Sequence, residues 1–316
     1  MNKELRTTCF ERAIFLSWYC SKADCAFCYM STQKEKIMEP TRARRSFASI
    51  CAEAIISKAC GWKIEFLSGG YDSFSKEDLL FIIKGVCEIT REKQWLNLGA
   101  LKEDELKLFK PYVEGFIGTL ECVNPGLREK ICPSKPMNDI LEAFKLCDKL
   151  GLKKGITVII GLGETLDDFK FLDDFIKMNQ IARITFYSLN PQKGTQFKSS
   201  PTIDYYEKWI AMTREAFPGL WITAGAWHDK TNYYSRLLKA GANNITKFPV
   251  LKLFNTPKAR EVEKEAKLAG REFRGTLTKI PEVNWDKEAD KLSFDVELKI
   301  KIKEKIKSYL RRMSKA

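Results

Sequence analysis

"MNDILEAFKLCDKLGLKKGITVIIGLGET" (residues 137–165) contains the repeating unit of the chain. Residues 137–151 are amphipathic at helical spacing. They close on Gly151, the position where a helix C-cap favours a residue without a Cβ. Residues 155–163, "GITVIIGLG", then form a short apolar β run that ends in glycines. Similar runs stand at 13–18, 63–70, 95–101, 115–120, 184–190, 220–226 and 243–249, most of them separated by amphipathic stretches such as 76–93. Strands alternating with helices imply right-handed βαβ units and a parallel sheet. Eight units in about 250 residues match a (β/α)8 barrel, the α/β fold expected here. A doubly wound open sheet would use the same units. Residues 1–275 are read as the barrel and 276–316 as a short appended β/α extension. In the latter, Leu292, Phe294, Val296, Leu298, Ile300 and Ile302 recur with period 2, which predicts a strand leading into a basic helix.

With 316 residues, 44% of them hydrophobic, the chain can bury a large core. The N-terminal "MNKELRTTCF" is polar where a signal peptide needs an apolar run, and no stretch reaches the ~18 apolar residues of a membrane span. A cytoplasmic protein is expected, with no membrane partner. The net charge of +13 raises the question of nucleic acid, but residues 298–316 hold eight Lys/Arg against one Glu, so over half the excess lies in the tail. The remainder reads as a solvated basic face, and nucleic acid is not the expected partner.

Ten cysteines are present. Cys9, Cys51, Cys60, Cys87, Cys122, Cys132 and Cys147 are scattered and read as small core hydrophobes. Cys20, Cys25 and Cys28 instead crowd one segment, "WYCSKADCAFCYM" (18–30), directly after the first strand. In a parallel barrel that is the face where active sites are built. Structural zinc wants four ligands, and the sole histidine, His228, is two hundred residues away. Three thiolates on a [4Fe–4S] cluster would leave one iron open, as a catalytic centre requires. Iron–sulfur is favoured; a zinc site stays open.

The segment Cys20-x4-Cys25-Ala26-Phe27-Cys28 resembles the radical SAM signature CxxxCxxC, with the aromatic Phe27 before the last cysteine and a first gap one residue longer. Further elements resemble that superfamily in order, over roughly residues 10–250. "LSGGYDS" (67–73), with Ser68, Gly69 and Gly70, is similar to the glycine turn that holds the methionine amino group of S-adenosylmethionine (SAM). Its carbonyls could approach an ammonium closely because the glycines lack Cβ atoms. On this reading Gly70→Val weakens SAM binding and leaves the cluster intact. "TLECVNPGLREK" (119–130) offers Glu121 for the ribose and Arg128 for a carboxylate. "TVIIGLGET" (157–165) is similar to GxIxGxxE, with Thr157 in place of the first glycine and Ile160–Gly161 as a wall for adenine. Leu189 and Asn190, in "SLNPQKGTQF" (188–197), resemble the adenine-contacting strand end of biotin synthase-like members, as "KAGANNI" (239–245) resembles their eighth strand.

The resemblance implies one [4Fe–4S] cluster, SAM, and an electron donor such as ferredoxin or flavodoxin. It also implies that a 5′-deoxyadenosyl radical abstracts hydrogen from the substrate, in a site that excludes water. Trp18, Phe27 and Met30 would keep the cluster dry. The cysteine spacing and "LSGGYDSF" also resemble a methanogen group that assembles the guanylylpyridinol cofactor of [Fe]-hydrogenase, which implies a small pyridinol-type precursor in cofactor biosynthesis. On the substrate side, His228 is the candidate catalytic residue and Trp227 a stacking partner, with Lys193 and Asn190 beyond them. Cys122 is the one further cysteine expected near the mouth, so no auxiliary cluster is expected. Radical modification of RNA or peptide, or a zinc-binding barrel without catalysis, are the alternatives.

Overall fold

The computed structural model describes residues 6–315. A short β1 (Thr7–Cys9) enters first. Eight parallel strands then form one sheet in chain order: β2 (Glu11–Phe15), β3 (Lys63–Ser68), β4 (Gln94–Asn97), β5 (Val113–Glu121), β6 (Lys153–Ile160), β7 (Arg183–Ser188), β8 (Trp221–Gly225) and β9 (Asn244–Thr246). A bridge from Phe10 to Ile245 brings the first and last strands together and nearly closes the barrel. β1 pairs with β10 (Glu272–Arg274) outside it. Each of the eight apolar runs overlaps one of these strands, and most of the strands stop short of the end of the run. The residues left over, Gly69–Gly70 after β3 and Gly161–Gly163 after β6, begin the loops of the C-terminal face.

Helices cover the outside. Met137–Leu150 buries Ile140, Ala143, Phe144 and Cys147, one helical stripe, and stops where Gly151 turns left-handed at φ 69°. Phe47–Ala59 is buried along most of its length because a further helix lies across it.

That further helix corrects the expected strand at 291–302. Asp295 caps the amide of Leu298, and residues Val296–Ser314 form one helix. Its buried residues are Ile302, Ile306 and Met313, while Val296 and Ile300 are exposed. The segment 292–302 fits both periods; the spacing of Ile302, Ile306 and Met313 fits only the helix. Lys301 and Lys303 of this basic helix pair with Glu297 and Asp290. No helix among the described residues is long and apolar enough to cross a membrane.

The barrel interior contains buried charged and polar side chains. Arg183 of β7 reaches across to Glu11 of β2 at 2.7 Å. Glu11 also accepts from Asn244 Nδ2 (2.7 Å), Thr223 Oγ1 (3.0 Å) and Trp221 Nε1 (3.1 Å). Burial alone would push this carboxyl up; Arg183 and the donors around it carry it below the usual carboxylate range. Its contribution to stability is therefore present above the ordinary Glu pKa and is lost as pH falls through the lowered one. Arg183→Met leaves Glu11 buried without its cation and should cost about 3–5 kcal/mol in denaturant unfolding at neutral pH. The same variant should lose much less relative to wild type at acid pH, where Glu11 is protonated in both. One layer higher, the β2–β3 register shifts between Arg12 and Ile14, leaving an extra residue on β3. There Glu65 is buried and accepts from Tyr187 Oη at 2.7 Å and from Thr246 Oγ1.

Candidate functional site

The three clustered cysteines lie on the long loop between β2 and the helix Phe47–Ala59. The loop returns to the barrel through a bridge between Ser17 and Arg44. Local hydrogen bonds shape it: Cys28 N donates to Cys25 O (3.0 Å), and Ser31 Oγ donates to both Cys25 O (2.8 Å) and Cys28 O (2.6 Å). Ala26 N donates to Ile131 O (2.8 Å), fixing the loop to the helix Pro125–Ile131. Cys25 is buried; Cys20 and Cys28 are partly exposed, and all three are free thiols.

The glycine turn after β3 grips the other shoulder of this loop. Ser73 Oγ donates to Tyr19 O (2.9 Å) and Gly70 O (2.8 Å), and Ser21 N donates to Tyr71 O (3.2 Å). A Cβ on Gly70 would lie 2.1 Å from Tyr19 O and 2.5 Å from Cys20 Cβ. Gly70 is therefore what lets the cysteine loop sit down on β3. This corrects the expectation that Gly70→Val spares the cysteines. At Gly69 a Cβ would meet Leu98 Cδ2 at 3.4 Å, an ordinary contact. Ser68 ends β3 and is paired with Phe15.

Glu121 ends β5 in the left-handed region, φ 61°, buried in the mouth. Burial raises its carboxyl, against the pull of Lys135 at 3.9 Å and of Arg128. The side chain of Arg128 is turned to backbone: Nε donates to Leu120 O (2.9 Å) and Nη1 to Lys135 O (2.6 Å). In this conformation it clamps the turn rather than presenting itself to a ligand carboxylate. Lys135, which the sequence reading missed, is a cation turned into this side of the site. It faces Glu121 and Cys25, and its ammonium lies 5.7 Å from the centroid of the Tyr71 ring.

Ile160 ends β6 and its carbonyl accepts from Leu189 N at 2.9 Å. Gly161 lies against Leu189 and Pro201, so these residues form one wall. Glu164 folds back beneath it, accepting from Gly161 N (2.6 Å) and Leu162 N (2.9 Å). Asn190 follows, with its carbonyl held by Gln192 (3.0 Å).

The wall and the cysteine loop meet in one apolar cluster. It contains Cys25, Cys122, Ile131, Cys132, Leu162 and Leu189, with Phe27, Cys28, Leu127, Ile159 and Phe197 against them. Trp18 is outside it, 42% exposed and edge-on to Phe15, so it does not shield the thiols. Cys132 is a second further cysteine at the mouth beside the expected Cys122. It packs beside Cys25 in this cluster, and its neighbourhood holds the Cys25 thiol below the usual range; burial holds Cys28 up and Cys122 at about 12.

On the remaining side the structure is less as expected. His228 is exposed on the rim, at the start of the 3-10 turn His228–Tyr233, and its ring makes no hydrogen bond to any of the described residues. Lys193 is exposed as well. Trp227 is the residue turned inward, toward Lys247 just past β9.

No three His, Cys, Asp or Glu side chains among the described residues surround one point as ligands of a single ion. Tetrahedral zinc, which needs its donors about one centre, does not fit. A cubane cluster differs, because each thiolate binds a separate corner iron. Three free thiols on one tied loop, with apolar cover and no disulfide, fit that group.

Comparison with known proteins bears on the family and the fold. Residues 19–176, half of the chain, match the model of the Radical SAM superfamily. An uncharacterized protein of Methanocaldococcus jannaschii is 44% identical over 277 residues, 87% of this chain and 76% of that protein. The biotin synthase of Lawsonia intracellularis is 25% identical over 248 residues, 70% of this chain and 72% of that enzyme. Among solved structures, methylornithine synthase (PylB) superposes with a TM-score of 0.70 at 18% identity, over 91% of this chain and 87% of that one. That likeness is one of fold, an α/β barrel. The chain belongs to the radical SAM superfamily.

Proposed function

We propose that this barrel mouth holds the cluster on Cys20, Cys25 and Cys28, holds SAM along the ends of β3 to β7, and acts on a small molecule. The chain is an enzyme of a superfamily that uses one [4Fe–4S] cluster, SAM and a reductant. When bound, that pair supplies one-electron cleavage of SAM and, through it, hydrogen abstraction from an unactivated C–H bond. The observation that supports the placement is the single apolar cluster joining the cysteine loop to the wall at Gly161 and Leu189. In this reading Ser68, Gly69 and Gly70 present backbone to the methionine head, and Glu121 accepts from the ribose hydroxyls. Lys135 supplies the cation for the methionine carboxylate, while Arg128 positions the turn that carries it. Ile160, Gly161, Leu189 and Asn190 face the adenine, and Phe27 excludes water from the cysteines.

A small substrate is supported by the closeness of two loops of this face. A Cβ on Gly194 would lie 3.5 Å from Thr32 Cγ2, so the loop after β7 comes up beside the cysteine loop. Loops that draw together suit a reaction that must be kept from water. Our candidate class is a precursor in cofactor biosynthesis, with pyridinol-type compounds first in order. Ferredoxin or flavodoxin would be the reductant, and the ten cysteines, none of them in a disulfide, favour the cytoplasm.

The test is anaerobic reconstitution followed by SAM turnover. The protein should be brown, with about four iron per chain, and should form 5′-deoxyadenosine when reduced. Small molecules, total RNA and peptides are then added separately. Stimulation by a small-molecule fraction supports the reading; stimulation by RNA or peptide alone overturns the substrate assignment. A colourless protein with stoichiometric zinc would overturn all of it.

A further inference from the structure

Beyond the SAM side of the mouth lies a second built feature, made from the ends of β7, β8 and β9. Lys247 follows β9 with φ 72°, a left-handed conformation uncommon for a residue with a Cβ. This geometry turns its side chain over the barrel. Its ammonium lies 4.3 Å from the centroid of the Tyr187 ring and 5.9 Å from that of Trp227. Tyr187 is fixed from below by its hydroxyl bond to Glu65. Gly225 makes room for the arrangement, since a Cβ there would lie 2.6 Å from Tyr187 Cδ1 and 2.9 Å from Lys247 Cγ.

Among the described residues the ammonium in this cradle has no acceptor. Among the described residues no carboxylate comes within 4.0 Å of it, and it donates no hydrogen bond, although an ammonium has three donors. The two carboxylates that act on it electrostatically are committed elsewhere. Glu65 accepts from Tyr187 and Thr246, and Glu121 faces Lys135. Enclosure without a partner is costly for a charged group, and here burial pushes Lys247 below the usual lysine range. Both Lys247 and Trp227 are still partly exposed, so the cradle is open on the mouth side, where Cys28 also acts on the ammonium.

We propose that Lys247 is the anchor for an oxyanion, carboxylate or phosphate, on the substrate, with Tyr187 and Trp227 holding the ammonium in place for it. The inference rests on the reading above, in that the anchored molecule would reach from Lys247 toward the cysteine loop. A substrate bound this way carries at least one negative charge.

The reconstituted protein is treated with acetic anhydride, and acetylation of Lys247 and Lys193 is followed by mass spectrometry. Malonate and inorganic phosphate are the probes, with chloride as control. At ten times its dissociation constant an occupying anion should slow acetylation of Lys247 about tenfold and leave exposed Lys193 unchanged. Protection by malonate alone assigns a carboxylate, and by phosphate alone a phosphate; protection by both assigns an oxyanion without preference. Equal rates with malonate, phosphate and chloride overturn the proposal. Lys247→Met should keep wild-type iron content and SAM affinity; loss of either would make Lys247 part of the cofactor site and overturn the anchor. Failure of the wild-type protein to take up iron would instead count against the function proposed above, and the protection of Lys247 would still be readable.

Discussion

Cys25→Ala is expected to give a folded barrel that retains almost no iron after reconstitution and forms no 5′-deoxyadenosine above background. Three thiolates are the minimum anchor for a cluster with one open iron, so the loss is all or none. The barrel strands do not depend on this side chain, and far-UV circular dichroism should match wild type. Cys132→Ala is the informative companion. Cys132 shares the apolar cluster with Cys25, yet it lies outside the three-cysteine loop, and this variant should keep iron and turnover within about twofold of wild type, a difference under 0.5 kcal/mol. Turnover by the Cys25→Ala protein would show that the cluster is held elsewhere, with Cys132 the first residue to suspect.

The second large effect is expected at Gly70. Any Cβ there strikes the Tyr19 carbonyl and Cys20, and the obstacle is backbone rather than the tip of a flexible side chain. Gly70→Ala should therefore displace Cys20 and lose most of the bound iron, and Gly70→Val should lose all of it. Gly69→Ala, where the new contact is ordinary, should keep the iron. Iron content and the visible absorption of the cluster separate the two glycines. Equal iron in Gly70→Val and wild type would mean that the loop and turn are less tightly joined than these distances imply.

The barrel was legible in the sequence because hydrophobic period is a local signal, and eight β runs separated by amphipathic stretches leave few other arrangements. Local signal also explains the error at residues 291–302. There Leu298 and Ile302 satisfy a strand period and a helix period together, and the choice is made by Ile306 and Met313 further along and by the cap at Asp295. At the mouth, the cysteine loop and the glycine turn were visible as spacing. Their mutual contact was not, since nothing in "LSGGYDS" says which segment lies 2.1 Å away. Arg128 was read as a ligand cation from its position; the carbonyls that occupy it come from Leu120 and Lys135 once the turn has folded. Lys135, Cys132 and Lys247 carried no motif at all. "NNITKFP" reads as a strand through residue 249, whereas the backbone leaves the sheet at Lys247 by a left-handed turn that a lysine does not announce.

The far end of the cysteine loop has an anchor from much later in the chain. Arg45 donates to the carbonyl of Phe15 and pairs with buried Glu53, and its guanidinium also donates to the hydroxyl of Tyr309, 264 residues further on. Ser49 shares the same hydroxyl at 2.7 Å. On the ribosome the thiols emerge well before Tyr309, and this anchor cannot form until Tyr309 has been synthesised and its helix has docked. Because chains are made from the N-terminus at roughly 5–20 residues per second, the loop is left for many seconds without its last constraint. Until then the cysteine loop is held by its bonds to β3 and to the helix Pro125–Ile131 alone, so the C-terminal helix is the last part of the chain to act on it.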